Sequence, residues 1–245
     1  MGFSHFYFKK DSCSFSGGFE KMSMILFRAS SVGKLMASPE KNILPAGAIT
    51  ELDKMVSQKL IKWQDAEFDF FTTEKGKICE NESIEIYNEV NDSFYVKNVE
   101  RIYKNANTGL IIDHDTGLIF DKSQPVLTGE CDILDKANSL VIDIKTAYSK
   151  KTYPFNLKIS KLYEWQLRAY MYLYDVSNAE LAYVLVDTPH DLISNKDPEH
   201  WHFMQDVPLD FRVSSLRIER DKEKEKQMLN RLELSSKYIQ DYLNK

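Results

Sequence analysis

The stretch Gly129-Glu130-Cys131-Asp132, followed by Val141-Ile142-Asp143-Ile144-Lys145, decides how this chain is read. Leu140–Lys145 is short, β-branched and apolar, which predicts a strand. Side chains alternate along a strand, so Asp143 and Lys145 project from one face and Ile142 and Ile144 from the other. Gly129–Leu134 predicts a neighbouring strand that carries Asp132. Two carboxylates converging beside an ammonium suit a hard divalent cation and an activated water, the chemistry of metal-dependent phosphodiester cleavage. By itself, Asp-x-Lys more often marks a surface strand whose acids pair with nearby lysines. The flanking Val141, Ile142 and Ile144 argue for burial instead. Asp and Lys are rarely buried without a pairing or metal role.

Working outward, 245 residues fit one large domain or two small ones, and 43% apolar residues are ample for a core. No apolar run reaches membrane-spanning length. The formal charge of −5 argues mildly against a nucleic-acid partner. It is a weak veto, because site carboxylates count towards it and a basic groove can sit in an acidic protein. Cys13, Cys79 and Cys131 show no Cys-x-x-Cys spacing. Neither a disulfide framework nor a zinc site is indicated, and a reduced cytoplasmic setting fits. Residues 1–24 lack an apolar signal-peptide core, and Phe6 stands where myristoylation needs Ser or Thr. They read as a flexible extension, with Met22 or Met24 as alternative starts, ahead of one domain over 25–245.

Ser30-Ser31 before Val32, Leu35 and Met36 predicts an N-capped helix. After a break at Pro45-Ala46-Gly47, Ile49–Trp63 predicts a helix with Leu52, Met55, Val56, Leu60 and Trp63 on its apolar stripe. Gly76–Val90 predicts another, with Glu80, Ile84 and Tyr87 on one face. Strands are expected at Val99–Tyr103, Leu110–Ile112 and Leu118–Phe120. A loop with Lys150, Lys151 and Pro154 leads to a helix over Leu162–Tyr174, where Gln166 and Tyr170 stand at i and i+4. Strands at Ala182–Val186 and Phe211–Ile218 precede a last helix, Lys222–Leu243. Its Lys222–Lys226 charge run reads as a solvated face. His114, His190, His200 and His202 read as solvent or core residues. The class is α/β (α+β), with a central mixed β-sheet flanked by helices.

In order, Gly76-Lys77-x-x-Glu80-Asn81, Asp132, Asp143-Ile144-Lys145 and Gln166-x-x-x-Tyr170 resemble the PD-(D/E)xK nuclease superfamily. The likeness is greatest to its phage lambda exonuclease or YqaJ-type viral recombinase branch. Arg28-Ala29-Ser30-Ser31-Val32-Gly33-Lys34-Leu35-Met36 is similar to that branch's Ser-containing helix start. Ile218-Glu219-Arg220-Asp221 resembles its C-terminal segment. The resemblance implies a restriction-endonuclease-like core. Asp132 and Asp143 would ligate Mg2+, with Mn2+ able to substitute and the Ile144 carbonyl as a third ligand. Glu80 would bind metal directly, through water or at a second site. Lys145 would orient or help deprotonate the attacking water, and Gln166 would position the lysine, a water or the DNA backbone. Arg28, Ser30 and Tyr170 would contact the DNA or its terminal phosphate. Two departures stand out. Asp143 replaces the Glu of many relatives, and Ser23 replaces a basic residue seven positions before the Ser, leaving Arg28 as the candidate for that role. The implied activity is magnesium-dependent 5′-to-3′ exonuclease action on linear double-stranded DNA in phage-type recombination. The branch also implies a single-strand annealing partner and a homotrimer. The alternatives are a structure- or site-selective endonuclease on the same core and a non-enzymatic DNA-binding scaffold. The iron–sulfur branch needs four cysteines, and this chain has three.

Overall fold

In the computed structural model, which describes residues 25–63, 70–112 and 124–243, the chain opens with strand β1 (Ile25–Arg28) and helix α1 (Ala29–Leu35). The 1–24 extension with Cys13 and Ser23, the Leu118–Phe120 strand and His114 lie outside the described residues. Arg28, in an extended conformation, is the N-cap of α1 and makes no side-chain cap. Ser30 and Ser31 therefore sit in the first turn rather than capping it, a correction to the expected helix start. Helix α2 (Ala46–Ile61) begins directly after Pro45. It buries Ala48, Leu52 and Val56, whereas Leu60 and Trp63 are exposed. The stripe is thus shorter than expected, because the helix stops at Ile61 before Trp63 can complete it.

Helices α3 (Phe70–Ile78) and α4 (Glu80–Asn91) replace the single helix expected over Gly76–Val90. They meet at Cys79, whose ψ of 11° departs from helical values. Hydrogen bonds Cys79 N–H to Lys75 O and Ser83 N–H to Cys79 O, both 2.9 Å, still cross the bend. Glu80 is consequently the first residue of its own helix.

Two sheets follow. Strands β2 (Ile102–Asn105) and β3 (Pro125–Gly129) join β1 in the order β1-β3-β2, with β1 parallel and β2 antiparallel to β3. Leu110–Ile112 adds a single bridge, Ile111 to Lys104, instead of a strand. Strands β4 (Ile133–Asp135), β5 (Leu140–Thr146), β6 (Asn178–Val184) and β7 (Val213–Glu219) form the second sheet in chain order. The expected strand Gly129–Leu134 is split, because the chain leaves one sheet at Gly129 and enters the other at Ile133. Asp132 lies in the gap.

β4 and β5 are an antiparallel hairpin, and β5 and β6 are parallel through the crossover helix α5 (Lys161–Tyr174). α5 starts at Ser160, whose Oγ accepts the Tyr163 N–H at 3.3 Å. Such a cap contributes about 1 kcal/mol. Residues Trp165 to Leu173 are all buried, so α5 is a central helix rather than a surface one. Strand alternation divides β5 between two cores. Val141 packs with Leu127, Leu167, Met171 and Leu181 on the α5 side. Ile142 and Ile144 pack with Ile84, Tyr87 and Val184 on the α4 side.

Helix α6 (Lys222–Leu243) closes the fold against α2 and α5. Its opening charge run is more than a solvated face, since Lys224 Nζ meets Glu164 Oε1 and Arg220 Nε meets Glu225 Oε2, both at 2.6 Å. Further along, Arg231 is buried, and its guanidinium donates to the carbonyls of Leu35, the last residue of α1, and of Ala37, Ser38 and Lys41 just beyond it. His202 is a core histidine, its Nδ1 lying 3.1 Å from Thr188 Oγ1. Among the described residues no helix is long and apolar enough to cross a membrane.

Candidate active site

Odd-numbered residues of β5 face α5, so Asp143 and Lys145 share a face with Val141, as alternation requires. Asp143 is only 2% exposed, and its Oδ1 accepts a hydrogen bond from Gln166 Nε2 at 3.1 Å. Gln166 in turn lies 3.1 Å from the Tyr170 hydroxyl, one helical turn along α5. Lys145 Nζ stands 2.6 Å from Asp143 Oδ2 and 5.4 Å from the centre of the Tyr163 ring. Asp132 reaches this cluster from the gap between the sheets, its Oδ2 accepting the Ile144 N–H at 2.6 Å.

The electrostatics follow from the crowding. Burial first, then the neighbouring Asp143 charge, push the Asp132 carboxyl up to about 7, against the opposing pull of Lys145. Burial also works to lower the Lys145 pKa, but the Asp143 and Asp132 carboxylates outweigh it and hold the ammonium above its usual range. Asp143 Oδ2 meets the Lys145 ammonium at 2.6 Å, and a carboxylate oxygen with that one partner keeps lone-pair capacity for another ligand. A buried carboxylate in that state beside a second, strained one fits a divalent cation. Asp132, Asp143 and the Ile144 carbonyl are the oxygen donors available. Among the described residues no three His, Cys, Asp or Glu side chains are grouped closely enough to form a site by themselves.

Glu80 lines the same cleft as Asp132, Ile144 and Lys145, a space of about 540 Å³ that also touches Tyr163 and Tyr183. Its carboxylate, however, is ion-paired with Lys97. The hydrogen bond that the Lys97 ammonium donates to Glu80 raises the Lys97 pKa, so the side chain is charged at neutral pH. Arg28, Ser30 and Tyr170 come together in a second recess of about 530 Å³, with Arg101 and Glu130. Arg101 Nη2 pairs with Glu130 Oε2 at 3.0 Å. Tyr170 therefore links the recess, through Gln166, to the carboxylates.

Two lysines beside the site went unread in the sequence. Lys97 lies in an aperiodic extended stretch, and no spacing connects it to Glu80. Lys75 on α3 is fully buried, and its Nζ donates to Ala147 O, Val186 O and Thr188 Oγ1 at 2.8–2.9 Å and to Tyr148 O at 3.1 Å. Only its position directly before Gly76 marks it in the sequence.

The model of the PD-(D/E)XK nuclease superfamily matches residues 50–243, well over half of the chain. The chain belongs to the PD-(D/E)XK nuclease superfamily. Solved structures agree in fold. A phage related exonuclease from Haemophilus somnus 129PT superposes with a TM-score of 0.73 at 23% identity, covering 90% of this chain and 96% of that one. The alkaline exonuclease LHK-Exo from Laribacter hongkongensis gives a TM-score of 0.52 at 16% identity, over 89% of this chain and 93% of its own. LHK-Exo in complex with dAMP gives 0.56 at 15% identity, over 91% of both chains. No curated protein sequence matches. On β5 this superfamily nuclease carries Asp143 and Lys145 two residues apart on one face, beside the cleft that Asp132 and Glu80 also line.

Proposed function

We propose that this nuclease is a divalent-cation-dependent deoxyribonuclease that degrades one strand of linear duplex DNA from its 5′ end. The observation that carries the reading is the meeting of Asp132, Asp143, Lys145 and Gln166 on the α5 face of β5, beside an open cleft. The exonuclease folds of its solved neighbours support the choice of substrate. Mg2+, with Mn2+ in its place where available, supplies a Lewis acid and lowers the pKa of a water when bound. Asp132 and Asp143 would hold the cation together with the Ile144 carbonyl, and Glu80, which lines the same cleft, would add a further carboxylate. Gln166 fixes the orientation of Asp143. Lys145, held as an ammonium by the carboxylates, orients the attacking water and offsets the charge that grows on the phosphate. Ser30 and Arg28 receive the terminal phosphate in the neighbouring recess. The same resemblance supports residues 25–245 acting as one domain, a homotrimer, a single-strand annealing partner and a cytoplasmic role in phage-type recombination.

The deciding experiment is digestion of linear, nicked and covalently closed DNA in Mg2+, with 5′-phosphate and 5′-hydroxyl ends compared. Linear 5′-phosphorylated duplex should be consumed and closed circles spared, and Asp132→Asn should be inert on all of them. Cutting of closed circles would move the assignment to an endonuclease. Cleavage in excess chelator would remove the cation from the mechanism.

A further inference from the structure

The extended segment after α4 runs back along the gap that holds Asp132, and Asn98 fixes it there. The Asn98 N–H donates to the Asp132 carbonyl at 2.7 Å, and its Nδ2 donates to the Cys131 carbonyl at 3.0 Å and to the Tyr174 hydroxyl at 3.1 Å. This anchoring delivers the preceding residue, Lys97, to the carboxylates, where its ammonium pairs with Glu80 Oε2. Both side chains retain access to solvent, at 39% and 25% exposure. Asp132, Asp143 and Glu80 are thus balanced by Lys145 on one side and Lys97 on the other. A divalent cation among the same acids would make the second lysine redundant, because two positive centres cannot share Glu80 without repelling each other.

We propose that Lys97 is the resident counter-ion of Glu80, that a divalent cation taken up by the carboxylates displaces it, and that the released ammonium turns to a phosphate of the DNA. Lys97 is then a positioning residue that couples cation uptake to substrate binding. The proposal rests on the divalent-cation reading given above. Its rival is an ordinary solvated ion pair that contributes to neither process.

The test is Mn2+ binding without DNA, measured by calorimetry on the whole chain. Lys97→Met should bind Mn2+ roughly fivefold more tightly than the parent, the gain expected from removing an ion pair of this exposure. Lys97→Arg should match the parent, and the gain should vanish when Glu80→Gln is added. With Ca2+ and 5′-phosphorylated duplex, fluorescence anisotropy should show Ca2+ strengthening DNA binding more in the parent than in Lys97→Met. Lys97→Gln repeats both measurements if Lys97→Met does not fold. Unchanged Mn2+ affinity, a gain that survives Glu80→Gln, or equal Ca2+ effects on DNA binding would overturn the proposal and leave the cation reading intact. Absence of Mn2+ binding by the parent, with Asp132→Asn indistinguishable from it, would overturn both.

Discussion

Lys145 touches a carboxylate on one side and an aromatic face on the other, and both contacts hold its ammonium over the cleft. If it acts on the reaction, its charge matters more in the transition state than in the ground state. Lys145→Ala should then keep cation and DNA binding but lose about 10²–10⁴-fold in the chemical rate. Lys145→Arg should restore little, because a guanidinium is larger and does not release its proton. Single-turnover cleavage at saturating Mg2+ is the measurement. A parental rate for Lys145→Ala under those conditions would reduce the lysine to a counter-charge for Asp143. At this scale the sequence was informative. Asp143 and Lys145 were legible because the strand period puts them on one face, whereas Gln166 stood out through its i, i+4 spacing with Tyr170 and the family resemblance. Lys97 and Lys75 were not, because their partners lie far along the chain and are reached only through tertiary contacts.

Elements show the same division between local and distant causes. α5, α6 and β5 came within about a residue of their expected bounds, since periodicity and the Ser160 cap define them locally. Gly129–Leu134 was misread because its residues suit a strand throughout, while the transfer between two sheets is imposed by what each end pairs with. The crossing of α1 and α5 was equally hidden. A Cβ on Gly33 would lie 2.7 Å from Leu162 Cα and 2.8 Å from its carbonyl oxygen. Backbone atoms cannot turn aside as a side chain does, so Gly33→Ala must push α1 away from the start of α5. The expected loss of stability is about 1–3 kcal/mol, read by urea denaturation. Because α1 carries Ser30, the same variant should also blunt any preference for 5′-phosphorylated ends in the digestion assay. Parental stability in Gly33→Ala would show that the two helices have slack between them.

For the molecule as a whole, Lys75 joins α3 to the ends of β5 and β6, where Ala147 and Tyr148 border the cleft. Lys75→Met would leave buried carbonyls without a donor, a loss of about 3 kcal/mol. Burial pulls the Lys75 pKa down to about 8, in spite of the opposing influence of Cys79, Glu82 and Asp187. The sign of the pH effect follows. A depressed lysine is deprotonated in the folded protein before it is in the unfolded chain, so the unfolded chain binds more protons in the interval. Stability should therefore gain from this group as pH rises from about 8 towards the ordinary lysine value near 10.4. Urea midpoints across that range should show the gain in the parent and not in Lys75→Met. Identical slopes would mean that the ammonium keeps its proton.

Arg231 gives the architecture a direction in time. Its guanidinium, on α6, holds four carbonyls at and just after the end of α1. During synthesis those carbonyls emerge 190 to 196 residues ahead of their donor. The turn they form follows the helix that carries Ser30, so what closes the far end of α1 is a side chain of the last helix and not a neighbour in sequence.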